Sequence, residues 1–131
     1  MASRLANFCF DAHDTFAQAQ WWGEVLDDFV FDPTDTEPGF NHPGAEESGL
    51  EGGDGRYLLF LQVPEGKEIK NRVHPCLRPT DRTRDEEVER LLAHGATLVN
   101  DLRKGEKGWA VLADPEGNEF CVLTPYRPSG S

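Results

Sequence analysis

Apolar and polar positions alternate between two rhythms along this chain, and the switches between them mark its elements. Leu5-Ala-Asn-Phe-Cys-Phe10 is a short apolar run of strand character. Asp14 follows it and is placed to accept the orphan N–H groups of a helix start. Phe16, Ala19, Trp22 or Gly23, and Leu26 then recur every three to four residues, which predicts a helix. Of the adjacent Trp21 and Trp22, that helix can turn at most one fully inward. Phe29-Val-Phe31 reads as a strand. Arg56 to Val63 is a longer apolar strand ended by Pro64-Glu-Gly66, and Arg72 to Leu77 is another, interrupted by Pro75. Thr83-Arg-Asp-Glu86 has the spacing of a capping box, in which hydroxyl and carboxylate satisfy reciprocal N–H groups. The helix it starts carries Val88, Leu91 and Leu92 on one face, and Gly95 stands where a helix end calls for a left-handed residue. Strands are predicted at Thr97–Val99, Trp109–Leu112 and Glu119–Leu123, with Asp114-Pro-Glu-Gly-Asn118 as the turn before the last.

Residues 32–55 break this pattern. They hold seven acidic residues, six glycines and three prolines, and no Lys or Arg. The expectation there is a long acidic loop, with at most one short strand near Phe40.

The order strand, capped helix, strands occurs twice, at an offset of 67 residues that sets Asn7 against His74 and Asp14 against Asp81. A chain of 131 residues has the size of one domain. The expected organisation is therefore one domain, 1–131, built from two βαβββ modules: about 4–64, including the acidic loop 32–55, and about 70–125.

Charge and cysteine content narrow the function. Twenty-four acidic against thirteen basic residues give a formal net charge of -11, which repels phosphate backbones. No nucleic-acid partner is expected; a small-molecule ligand, and a cationic one, is favoured. Cys9, Cys76 and Cys121 are odd in number, lie in strand-like runs and lack zinc-finger spacing. Reduced thiols are the expectation, with a nucleophilic cysteine beside His74 a weaker one. The first residues show no basic stretch followed by an apolar one, and no apolar run approaches about 18 residues. A soluble, cytoplasmic protein without a membrane partner is expected.

Several segments carry a family resemblance. Trp21-Trp-Gly-Glu-Val-Leu26 resembles the first-helix segment of the vicinal oxygen chelate superfamily, and Lys70-Asn-Arg-Val-His74 resembles the start of its second module. Arg90-Leu-Leu-Ala-His-Gly-Ala-Thr97 resembles its second helix and turn, and Gly108 to Phe120 its final hairpin. Together they resemble the glyoxalase-like, bleomycin-resistance-like domains, and their actinobacterial branch in particular. The resemblance implies an α+β fold: two βαβββ modules forming a curved, mainly antiparallel sheet around a concave pocket. It also implies a homodimer. The family's repertoire runs from metal-dependent isomerases, lyases and dioxygenases to metal-free drug-binding proteins, and fold alone does not choose among them.

Catalytic members hold a divalent metal ion with His or Glu from both modules. The matching positions here are Asn7 and His74, joined either by Gln62 and Glu119 or, in a stricter register, by Phe60 and Cys121. Neither set supplies three strong ligands. No metal and no other cofactor is therefore expected, with His74 and Glu119 the weak candidates for a metal. The expected ligand-binding residues are Asn7, Gln62, His74, Trp109 and Glu119. Glu119 reads equally well as a solvated carboxylate at a strand end. A metal-free binding protein for a cationic or aromatic compound is the leading function. The alternatives are an isomerase or lyase, with His74 as acid–base and Asn7 and Gln62 orienting a carbonyl, and an interaction role with an empty cavity.

Overall fold

The computed structural model describes residues 2–126. The chain divides into two compact units, with the boundary between Gly66 and Lys67. Each unit is a βαβββ element with its own four-stranded mixed sheet, and the fold is α+β. Among the described residues no helix is long and apolar enough to cross a membrane.

The first unit comprises β1 (Asn7–Ala12), α1 (Thr15–Val25), β2 (Phe29–Val30), β3 (Glu47–Gly52) and β4 (Tyr57–Gln62). Its sheet runs β1-β4-β3-β2; β1 and β4 are parallel and the other pairings antiparallel. Asp14 caps α1 by accepting from the Ala17 N–H at 3.0 Å. The register assigns the two faces. Phe10 pairs with Phe60, Phe60 with Ser48, and Leu58 with Leu50, so these side chains share one face. The helix lies on that face: the Thr15 hydroxyl is 3.1 Å from that of Ser48, and Gly23 approaches Leu50. Asn7, Cys9, Leu59 and Leu61 project from the other side.

The second unit comprises β5 (Cys76–Leu77), α2 (Arg84–Ala93), β6 (Thr97–Asp101), β7 (Ala110–Ala113) and β8 (Glu119–Val122), in the sheet order β5-β8-β7-β6. The strand directions repeat those of the first unit, with β5 and β8 parallel. The capping box is complete: the Thr83 hydroxyl accepts from Glu86 N–H and the Glu86 carboxylate from Thr83 N–H. Val88 and Leu91 of α2 are fully buried, as are Leu112, Phe120 and Val122, which the register sets on one sheet face. Cys76, Cys121, Val111 and Glu119 belong to the opposite face.

Three expectations change. The stretch 32–55 is not simply a loop, because β3 lies within it, between β2 and β4, with Ser48, Gly49 and Leu50 buried. Gly49 serves packing there: a Cβ on it would overlap Leu59 and the Leu58 carbonyl. Asn41, at φ 51, braces the preceding turn by accepting the Gly49 N–H at 2.9 Å. Second, both tryptophans of α1 are buried, at 8% and 5% exposure, and meet edge to face at 5.1 Å. Third, the strand read over 72–77 shortens to Cys76–Leu77. Pro75 has no N–H for a ladder, although its carbonyl still accepts from Cys121.

Candidate functional site

In the first unit the sheet separates the residues grouped by sequence. Asn7 projects away from α1, and its amide donates to the Cys9 sulfur at 3.1 Å. Gln62 registers with Ala12 and shares the helix-side face with Phe60, so it does not join Asn7. Its amide lies 3.4 Å from the carbonyl of His13. Gln62, His13, Val63 and Pro64 line an open recess of about 380 Å³ at the end of β4. Phe60 is 1% exposed and stacks on Phe10, so it is core.

In the second unit the sheet assembles more. Cys76 and Cys121 are direct partners across the parallel β5·β8 pair. His74 precedes Cys76 by two residues, and its ring nitrogen and the two sulfurs all lie within 4.8 Å of one another. His74 and Cys76 are exposed, whereas Cys121 is buried. Burial pushes the Cys121 thiol up to about 11, reinforced by Cys76 and its hydrogen bond. Val111 pairs with Cys121 on this face. The pleat carries Trp109, two residues earlier, to the same side, and Trp109 remains 42% exposed.

Glu119 has a different occupation. It is 6% exposed, and its Oε1 accepts from Lys67 Nζ at 2.9 Å and from the Asn71 N–H at 3.2 Å. Lys70 Nζ lies 3.6 Å from its Oε2. The Lys67 ammonium, more than the Asn71 N–H, holds the carboxyl below its usual range. Glu119 thus fastens the segment leading into β5 to the start of β8, which neither a solvated strand end nor a free ligand would do.

A divalent ion of the oxygen-seeking kind does not fit what remains. Such ions want carboxylates, carbonyls and water. Among the described residues the one group of three His, Cys, Asp or Glu donors is an imidazole with two thiols. The cysteine pair was the part of this site that sequence reasoning left unassembled. Its signal was present: His74 and Cys76 share strand parity, as do Glu119 and Cys121 after the Asp114–Asn118 turn.

The comparisons with known proteins agree with this architecture. A glyoxalase/bleomycin resistance protein/dioxygenase family enzyme from Burkholderia phytofirmans PsJN has a similar structure, with TM-score 0.65 and 22% identity over 92% of this chain and 97% of that one. The fosfomycin resistance protein FosX from Mesorhizobium loti has TM-score 0.63 and 19% identity over 96% of this chain and 94% of its own. The hypothetical protein SA1046 from S. aureus has TM-score 0.61 and 15% identity over 96% and 99%. At these identities the likeness is one of fold. No curated protein matches the chain. The family model for the glyoxalase-like domain matches residues 7–123, from the first residue of β1 to just past β8. The chain belongs to the glyoxalase-like domain family, within the vicinal oxygen chelate superfamily.

Proposed function

We propose that this chain is a small-molecule-binding member of its family, and that it captures a cationic or aromatic compound on the face of the second sheet turned away from α2. The observation that carries this reading is the composition of that face. It leaves an indole (Trp109) exposed beside the start of β7, a half-buried aliphatic group (Val111) two residues along that strand and an exposed imidazole (His74) ahead of β5, while Leu112, Phe120 and Val122 on the other face are buried. Apolar walls with one or two orienting polar groups are what a small-molecule site needs. The net charge of -11 favours a cation in the approach, and an indole face adds about 0.5–2 kcal/mol of cation–π attraction. FosX carries a drug-resistance name, in keeping with this reading.

The isomerase or lyase alternative keeps His74 as its acid–base group, but it loses the paired Asn7 and Gln62, which stand on opposite faces of the first sheet.

The test uses the exposure contrast among the three tryptophans. Trp21 and Trp22 are buried, so a ligand on the open face should change the emission of Trp109 alone. Cationic aromatic compounds are titrated with fluorescence and thermal-shift readouts. A hit should lose its signal in Trp109→Phe and bind more weakly to Trp109→Ala, and its association should slow as salt rises. Binding confined to anions or neutral metabolites refutes the charge argument; no binding by any compound refutes the reading itself.

A further inference from the structure

We infer that His74, Cys76 and Cys121 form a zinc site with one coordination position left open. The inference stands on the cluster itself and does not rest on the small-molecule reading. It also departs from the metal-free expectation.

Geometry comes first. Cys76 and Cys121 are registered partners on adjacent parallel strands, so both side chains leave the sheet on the same side. Two-residue spacing on the same chain segment adds His74 above them. All three donor atoms already lie within 4.8 Å of one another. Zinc bonds of about 2.3 Å to sulfur and about 2.0–2.1 Å to nitrogen set tetrahedral ligands about 3.5–3.8 Å apart. Closing that gap takes a movement on the order of 1 Å. The parts that must move are exposed: His74 and Cys76 stand at the short β5, while Cys121 is fixed within β8.

Chemistry then selects the ion. Two thiolates and one imidazole are borderline-soft donors, suited to zinc and poorly suited to magnesium, calcium or manganese. Two thiolates also balance a dication. The nearby carboxylate of Glu119 does not compete, because Lys67 and Lys70 already engage it. Three protein ligands with a fourth position facing solvent is the coordination of an open zinc site, in contrast to a closed structural one.

Thiolate ligation requires both thiols to lose their protons, so zinc uptake should release protons and apparent affinity should rise with pH.

The experiment titrates the reduced chain with Co²⁺ alone as the spectroscopic probe and then with Zn²⁺. Expected are thiolate-to-cobalt charge-transfer absorption saturating at one equivalent, its displacement by Zn²⁺, and about two protons released per zinc in weak buffer. Cys76→Ser changes an exposed residue and should leave the circular dichroism spectrum intact while weakening zinc binding at least about tenfold. Cys9→Ser, in the other unit, should bind as the natural chain does. The inference is overturned by any of four results: no charge-transfer absorption, absorption that survives Cys76→Ser, displacement of Co²⁺ by Mg²⁺ or Mn²⁺ as readily as by Zn²⁺, or a Cys76–Cys121 disulfide accompanied by no zinc uptake after reduction. A chain that binds zinc but no cationic aromatic compound would keep this inference and remove the small-molecule reading; the opposite pattern would do the reverse.

Discussion

Glu119→Gln isolates the electrostatic clamp between the two ends of the second unit. The substitution keeps the shape of the side chain and removes its charge. In the natural chain Glu119 Oε1 accepts from Lys67 Nζ at 2.9 Å and from the Asn71 N–H at 3.2 Å. Lys70 adds an ion pair at 3.6 Å, but its side chain is 74% exposed and solvent screens it. A hydrogen bond to a charged group contributes about 1.5–3 kcal/mol and a neutral one about 0.5–1.5 kcal/mol. The glutamine oxygen can still accept, so the expected loss is the difference, about 1–2 kcal/mol near neutral pH. The pH dependence follows from the carboxyl being held below its ordinary 4.5 in the folded chain, chiefly by Lys67. A folded-state value below the unfolded one means the stabilisation is fully present above the unfolded value and is lost as pH falls through the folded one. Urea unfolding followed by circular dichroism, at steps of pH from neutral into acid, should show the gap between natural chain and variant closing below 4.5. In a double-mutant cycle, Lys67→Met should cost little more once Glu119→Gln is present. A variant as stable as the natural chain at neutral pH, or a gap that persists in acid, would show that Glu119 is not clamped, and the argument that removes it from ligand binding would fall with it.

Other positions give sharper single outcomes. Gly108 has φ +80, and a Cβ there would run into the Leu102 carbonyl, so Gly108→Ala should lower unfolding stability by more than about 2 kcal/mol. Phe120→Ala opens a cavity at a fully buried site and should cost about 3–5 kcal/mol by the same urea assay. Thr83→Ala removes one half of the capping box and should cost about 1 kcal/mol, with faster amide exchange in the first turn of α2. The homodimer expected from the family resemblance predicts twice the chain mass by sedimentation equilibrium; a single-chain mass refutes it.

The elements legible in the sequence were those fixed by local physics. The Asp14 cap and the Thr83–Glu86 box depend on neighbours within three residues, and both formed as read. The duplicated order of strand, helix and strands was enough to specify two βαβββ units. What escaped was decided by partners distant in sequence. Glu47-Ser-Gly-Leu-Glu-Gly52 has one large apolar residue and looks like loop, yet it becomes β3 because β2 and β4 flank it and Gly49 admits Leu59. Trp21 and Trp22 escaped the helical-wheel argument because both rings are buried and pack edge to face on one another. At the candidate site, His74 was legible as chemistry. Cys76 beside it and Cys121 in the stricter register were each legible as its companions, but their meeting at one place was not, because the pairing of Cys76 with Cys121 is a register between strands 45 residues apart.

The parallel pairing of first and last strands has a consequence for how this protein is made. Among the described residues β1 pairs within its sheet only with β4, which follows it by 50 residues in register, and β5 only with β8. Such separations carry a large loop-closure entropy and make these contacts slow to form. During synthesis each opening strand must wait, unpaired, until the closing strand of its own unit arrives and slides between it and the hairpin already formed. The face that bears His74 and Cys76 therefore exists only after β8 has been inserted. A chain that stops before Glu119 would expose both residues without assembling them, so the ability to bind anything there is also a report that the ribosome has finished that unit.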